Sequence, residues 1–278
     1  MRSTTTRRSV ALATLVAAIA ACASSGSGNG GASASATPPA AAAVATPPSS
    51  ASALIARMHD RYAGQWFHTL TFVQRTTRLR PGGARDTSTW LEALQAPSRL
   101  RIDIEPRASR NGLIFTADST YRIRNGQVAA ATADANPLMP FVAALYLQPV
   151  ERTMLELARE HYDTTRLRAD TWRGRPVAVV GTDRADDLTS PQFWVDLDRL
   201  VLVRMVLPPA RPDAKAIDIH MSDYRPFGHS LVATRVDVIA GADTVQSEEY
   251  RDVRVDVPLD PALFDPAAWG TVKHWMER

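Results

Sequence analysis

Cysteine is almost missing from this chain, which has one residue of the type in 278, Cys22. A single thiol excludes a disulfide framework and a multi-cysteine zinc site, and it leaves the body of the protein without a cysteine nucleophile. Lysine is nearly as scarce, with only Lys215 and Lys273, so the basic side chains are almost all arginine. No apolar run reaches the about 20 residues that a membrane-spanning helix requires. Several enzyme signatures are missing as well: there is no Gly-x-Ser-x-Gly elbow, no phosphate-binding Gly-rich loop, no dinucleotide fingerprint and no metalloprotease histidine pair. The six histidines, His59, His68, His161, His220, His229 and His274, are scattered. The expectation is a non-enzyme with no catalytic residue, no metal site and no cofactor. The formal charge of +3 owes everything to Arg2, Arg7 and Arg8, which precede Cys22 without an acidic residue among them. The chain beyond is formally neutral, which argues against a nucleic-acid partner.

What the sequence does contain begins with a secretory signal over 1–21: three arginines, an apolar run from Val10 to Ala20, then small residues. Ile19-Ala20-Ala21-Cys22 resembles a bacterial lipobox, in which cleavage before the cysteine follows attachment of a diacylglyceryl group. Cys22 is therefore the expected lipidation site and membrane anchor. Residues 22–50 are rich in Ala, Ser, Gly, Thr and Pro and carry no charge, so they read as a tether with a span on the order of 30 Å. Ala23 stands where an aspartate would signal inner-membrane retention, so the expected location is the cell envelope, facing the periplasm, with the outer membrane favoured over the inner.

Residues 51–270 form the expected folded domain, followed by a tail over 271–278. Leu54, Ile55, Met58 and Tyr62 make one stripe of an amphipathic helix that Ser50 or Ser52 caps. About a dozen strand candidates follow with short turns between them. The cleanest is Arg99 to Glu105, where Leu100, Ile102 and Ile104 alternate with charged residues, and Asn125-Gly126 is a strong hairpin turn. Between the strands lies one helix-patterned stretch, Pro137 to Tyr162. Phe141, Val142, Leu145 and Tyr146 recur at helical spacing, and a second piece after Pro149 places Met154, Leu155, Leu157 and Ala158 on one face. The fold class is α+β: a curved antiparallel sheet forming an incomplete, half-barrel structure capped by a short helical lid.

The order of these features resembles the LolA/LolB-like superfamily of periplasmic lipoprotein carriers and outer-membrane lipoprotein receptors, which includes the RseB type of envelope-stress sensor. The resemblance rests on the opening helix leading into Phe67-His68 and Phe72-Val73-Gln74, on Ala96-Pro97-Ser98-Arg99-Leu100-Arg101-Ile102, and on the Asp118 to Gly126 hairpin. It also rests on the proline-bounded stretch from Pro137, on Phe193-Trp194-Val195-Asp196, and on Val257-Pro258-Leu259-Asp260 with Phe264-Asp265-Pro266. Two positions depart from it: Ala96 replaces the arginine common before the strand-initiating proline of carriers, and the Glu105 to Asn111 turn is polar where receptors expose an apolar residue. The resemblance implies an apolar cavity for acyl chains. On that reading the ligand is a lipid or the acyl chains of a lipoprotein. Leu138, Met139, Phe141, Leu145, Tyr146 and Met154 form the moving cover, and Phe72, Ile102, Ile104 and Phe115 form the fixed wall.

Other arrangements invite weaker readings. Asp218-x-His220 shares one strand face and reads as a solvated polar face rather than a cation site. Asp186-Asp187, Asp196-x-Asp198 and Glu248-Glu249 read as surface charge. A different use of the same fold, as a sensor or scaffold that binds an envelope protein through a sheet edge, stays open beside the lipid-binding reading.

Overall fold

The computed structural model describes residues 48–277. The signal segment, Cys22 and the tether as far as residue 47 lie outside the described residues, as does Arg278. Helix α1 (Ala51–Arg61) opens the fold, and Ser50 caps it by accepting a hydrogen bond from the Ala53 amide at 3.1 Å. Its stripe is the expected one, with Leu54, Ile55 and Met58 fully buried.

Thirteen strands then form one antiparallel sheet. The first six are β1 (Thr69–Leu79), β2 (Arg85–Gln95), β3 (Arg99–Ile104), β4 (Asn111–Phe115), β5 (Thr120–Arg124) and β6 (Gln127–Thr132). After the helical stretch come β7 (Leu167–Trp172), β8 (Arg175–Val180), β9 (Gln192–Asp196), β10 (Val201–Leu207), β11 (Ile217–Phe227), β12 (Ser230–Ala240) and β13 (Asp243–Val255). Their order is β6-β5-β4-β3-β2-β1-β13-β12-β11-β10-β9-β8-β7. Each strand pairs with its sequence neighbour except where β1 meets β13, so the two meanders are joined side by side by the first and last strands. The sheet does not close: β6 and β7 are its free edges. A bulge in β13 opposite Thr71 and Val73 of β1, where Thr71 pairs with Arg254 and Val73 with Arg251, lets that strand run unbroken from Asp243 to Val255. Asn125 and Gly126 both take positive φ, 50° and 79°, which is what a two-residue hairpin of twisted strands demands.

The expected helical stretch begins with a π-helical turn (Pro140–Ala144), continues into the one-turn α2 (Leu145–Leu147), and restarts at Pro149 as α3 (Val150–Arg159). The face of α3 differs from the expected one. Thr153 and Leu157 are buried, whereas Leu155 is 62% exposed and Ala158 faces solvent. Gln148 fixes that rotation, donating through Nε2 to Thr153 Oγ1 at 3.1 Å and to Glu156 Oε2 at 2.8 Å.

α1, the π turn, α2 and α3 pack on one face of the sheet, together with Leu70 and Phe72 of β1, Leu94 of β2, and Leu100 and Ile102 of β3. The opposite face is also covered, over its first half, by the C-terminal segment. Leu263 and Phe264, in a 3-10 turn (Pro261–Phe264), pack on Ala93, and Trp269 packs on Ile114 and Ile123. This covering buries both faces of β3, where the alternation of apolar and charged residues predicts one solvated face. Arg101 and Asp103 lie beneath the segment, joined by paired hydrogen bonds of 2.8 and 2.9 Å, with the guanidinium 3.9 Å from the centroid of the Trp269 ring. His274, expected in a free tail, is buried, its Nε2 3.2 Å from Asp103 Oδ2.

Candidate ligand-binding site

A hollow of about 100 Å³ lies between the helical layer and the sheet. Its sheet side includes Leu70, Phe72, Leu94, Leu100 and Ile102, which alternation places on one face of three neighbouring strands, and continues over Val232 of β12 and Met221 of β11. Its helical side is made by Leu138, Met139, Phe141, Val142 and Tyr146. Trp66, in the turn between α1 and β1, closes the wall: its ring stacks on Tyr146 with centroids 3.7 Å apart, and its Nε1 donates to the Val142 carbonyl at 2.9 Å. Tyr146 in turn donates its hydroxyl to the Leu200 carbonyl at 3.2 Å, fastening α2 to the start of β10.

Six of the ten expected pocket residues line this hollow: Phe72, Ile102, Leu138, Met139, Phe141 and Tyr146. The other four do not. Leu145 and Phe115 are buried in the surrounding core, and Ile104 and Met154 pack against it from partly exposed positions. The reason is rotational for Leu145, whose neighbour Tyr146 takes the inward position within the one-turn helix. For Phe115 and Ile104 the hollow is centred farther along the sheet, over β1, β2, β12 and β13.

The part of the site that the sequence reading did not find is polar. Gln74 of β1, Glu92 of β2, and Glu248 and Tyr250 of β13 line the hollow among the apolar residues. Glu248 is 7% exposed, which overturns its reading as surface charge; Glu249 points the other way and is exposed. Glu248 is well provided for: Tyr250 donates to its Oε2 at 2.9 Å and Gln246 Nε2 to its Oε1 at 2.5 Å. Glu92, 5% exposed, makes no side-chain hydrogen bond to any described residue. Burial, and then the charge of Glu248, hold the Glu92 carboxyl well above the ordinary glutamate range. Burial raises Glu248 too, against the pull of its hydrogen bonds and of Arg78. The signal for Glu92 was present in the pattern Trp90-x-Glu92-x-Leu94, where an acid occupies the phase of two core residues.

The remaining charge clusters are structural. Asp196 is fully buried at the end of β9 and gathers Arg175, Arg199 and two backbone amides, so it is no solvated acid. Asp187 is buried as well, accepting hydroxyl hydrogen bonds from Thr182, Thr189 and Ser190 that hold its carboxyl far below the usual range. Asp218 takes a bidentate bond from Arg204, 2.8 Å to each oxygen, with His220 beside it at 3.1 Å. That guanidinium lies between Trp172 and Trp194, 4.7 and 4.5 Å from the ring centroids, so this face is packed rather than solvated. Among the described residues no group of three or more His, Cys, Asp or Glu is placed to hold a metal ion. A wider groove runs between the β2–β3 turn and Pro261–Pro266, and its charged residues, Arg99, Asp118 and Asp265, are exposed.

No family model and no curated protein matches the sequence. Solved structures do match the fold. A DUF1329 family protein from Desulfovibrio piger superposes with a TM-score of 0.54 at 14% identity, over 78% of this chain and 97% of that one. A domain assigned by name to the outer membrane lipoprotein-sorting proteins, from Vibrio parahaemolyticus, superposes with a TM-score of 0.51 at 12% identity, over 78% and 96%. A LolA superfamily protein from Nitrosomonas europaea aligns at 12% identity over 78% and 98%, with a TM-score of 0.49. The chain is thus structurally similar to the DUF1329 and lipoprotein-sorting domains and shares their fold over almost their whole length.

Proposed function

We propose that this protein is a lipid-anchored, non-enzymatic component of the bacterial cell envelope that binds a hydrophobic ligand, a lipid or the acyl chains of a lipoprotein, beneath its helices. On this reading the sheet acts as a half-barrel, the segment from Leu138 to Tyr146 acts as its lid, and Cys22 carries the anchor. The supporting observation is the largely apolar hollow itself, walled by the stacked rings of Trp66 and Tyr146. At about 100 Å³ it is below the roughly 300–1,000 Å³ of a site that holds a small molecule, so on this reading the cover must move to admit the ligand. The cover is built to yield. A π turn, a three-residue helix and a break at Pro149 hold little helical stability of their own and depend on packing. Burying one twelve-carbon chain returns roughly 10 kcal/mol at about 0.8 kcal/mol per CH₂, which opposes the loss of the contacts that opening breaks. The name of the Vibrio parahaemolyticus domain supports a place in outer-membrane lipoprotein sorting.

The test is mass spectrometry of lipid co-purified with the mature protein from membranes, combined with binding of a neutral hydrophobic dye. Ala233 lines the hollow, and Ala233→Leu fills it from the β12 side. Dye binding is expected to fall at least about tenfold while the far-ultraviolet spectrum stays unchanged. Absence of both co-purified lipid and dye binding would sink the proposal.

One observation favours a second use of the fold. All six residues of the edge strand β6 are exposed, leaving a row of unpaired backbone groups suited to strand addition by a protein partner. Such a partner would protect β6 amides from hydrogen exchange without displacing dye.

A further inference from the structure

The lining of the hollow is not uniformly oily, and its charge has one sign. Among the described residues the only charged side chains in it are Glu92 and Glu248, and the cover contributes none. The two carboxyls are not equivalent. Glu248 accepts from Tyr250 and Gln246, and feels the positive charge of Arg78, whose Nε is engaged by Gln246 Oε1 at 2.8 Å and whose guanidinium lies 4.6 Å from the centroid of the Trp90 ring. Glu92 has none of this: it sits between Phe72 and Ile102 in the sheet register, buried, facing the cavity, without a hydrogen-bond partner. Gln74, the nearest amide in sequence phase, spends its Nε2 on Thr76 Oγ1 at 2.8 Å. Its carboxyl oxygens open on the hollow rather than being shut into the core, and nothing about packing requires an acid here.

We infer that Glu92 is the head-group contact of the site, and that the ligand is an amphiphile whose polar end is a protonated amine. An ammonium brings both things that Glu92 lacks, N–H donors and a positive charge, and the neighbouring Glu248 reinforces it. A carboxylate or phosphate end would face two acids across a low-dielectric space with no basic residue in the lining to meet it. Tyr146, Tyr224 and Tyr250 also line the hollow, but they carry no charge at neutral pH and their hydroxyls are donated to the Leu200 carbonyl, the Leu202 carbonyl and Glu248. The chemistry of recognition is an ion pair formed on binding: burial and the charge of Glu248 favour the proton on Glu92 in the empty site, an arriving ammonium favours its release to solvent, and the carboxylate pairs with R–NH₃⁺.

This rests on the reading that the hollow admits an amphiphile, and the experiment separates the two. Dodecylammonium, dodecanol and dodecanoate are titrated at pH 7 against the mature protein preloaded with the neutral dye. Dodecylammonium is expected to displace dye about tenfold more strongly than dodecanol, the size of one charge-assisted contact, and dodecanoate to be weakest. Glu92→Gln, which keeps the shape, should abolish the roughly tenfold preference for the ammonium over the alcohol, read as the ratio of the two affinities in the same variant; Glu248→Gln should cut that preference less. Calorimetry in two buffers of different ionisation enthalpy should show proton release with dodecylammonium. Equal affinities for the three, a preference for dodecanoate, or an equal loss of all three in Glu92→Gln would overturn the assignment and leave the hollow as an unselective site. If none of the three displaces dye, the amphiphile reading of the hollow fails and this inference falls with it.

Discussion

Arg101 grips Asp103, two residues along the same strand, through paired hydrogen bonds of 2.8 and 2.9 Å, with both side chains on the face of β3 that the C-terminal segment covers. Arg101 also donates to the Leu263 carbonyl at 3.2 Å, and His274 reaches Asp103 from the far end of the segment. An ion pair formed within one strand thereby becomes the lock for residues 160 or more positions away in the chain.

Breaking that lock is expected to cost stability. Removing one partner of a buried pair strands the other, so Arg101→Ala should lower unfolding free energy by about 3–5 kcal/mol in urea titration. Burial raises the Asp103 pKa, but the hydrogen bonds from His274 and Arg101 outweigh it and hold the carboxyl below its usual range. A depressed acid stabilises the fold above its unfolded pKa, about 3.9, and that contribution is lost as pH falls below it. Asp103→Asn should be less stable than the wild type at pH 7, and the gap should narrow as pH falls through 4 to 3.

The acid in the hollow has the opposite sign. Glu92 is raised by burial and by Glu248, so the folded protein holds its proton at pH values where the unfolded chain, titrating near about 4.3, has lost it. Stability attributable to this group is therefore full below about pH 4 and declines as pH rises. Glu92→Gln should melt higher than the wild type at pH 7.5 and lose that advantage at pH 4, measured by thermal denaturation without ligand. An advantage independent of pH would contradict the placement of the group.

Asp196 and Asp198 offer a matched pair of opposite environments. Asp196 has no solvent exposure and accepts from Arg175, Arg199 and the amides of Asp198 and Arg199, whereas the Asp198 side chain is 48% exposed. Asp196→Ala should cost about 3–5 kcal/mol in urea unfolding. Asp198→Ala should stay within about 1 kcal/mol, as expected of an exposed pair.

Gly112 marks the closest approach of the C-terminal segment to the sheet. A Cβ there would stand 2.1 Å from the Ile102 carbonyl oxygen and 2.4 Å from the Trp269 ring, so the tryptophan can seat on β4 only above a glycine. Gly112→Ala is expected to destabilise by about 1–3 kcal/mol and to expose the segment from Pro261 to limited proteolysis, read by mass spectrometry of the released peptide.

Much of the architecture could be read directly from residue order. The α1 stripe, the Asn125-Gly126 hairpin, the proline-broken helical stretch and nearly every strand follow from local periodicity, because each is fixed by neighbours within a few residues. The misreadings share one cause. Charge and alternation alone make Arg101, Asp103, Asp187, Asp196 and Glu248 read as solvated, and each is buried by partners that periodicity does not see: a covering segment, a tight loop, a turn, or a cavity wall. The face of α3 was misjudged for a similar reason, since hydrogen bonds from Gln148 set its rotation while Leu155 stays outside.

The sequence by itself determined which segments are strands and which are helical, that one stretch between the strands would pack apolar side chains, and which of them would face inward in most cases; short-range alternation and proline placement suffice for that. Tertiary structure alone decided which strands neighbour one another, where the hollow is centred, and that an acid stands in its wall. Those outcomes depend on pairings such as β1 with β13, about 175 residues apart, where register rather than composition selects which side chain meets which.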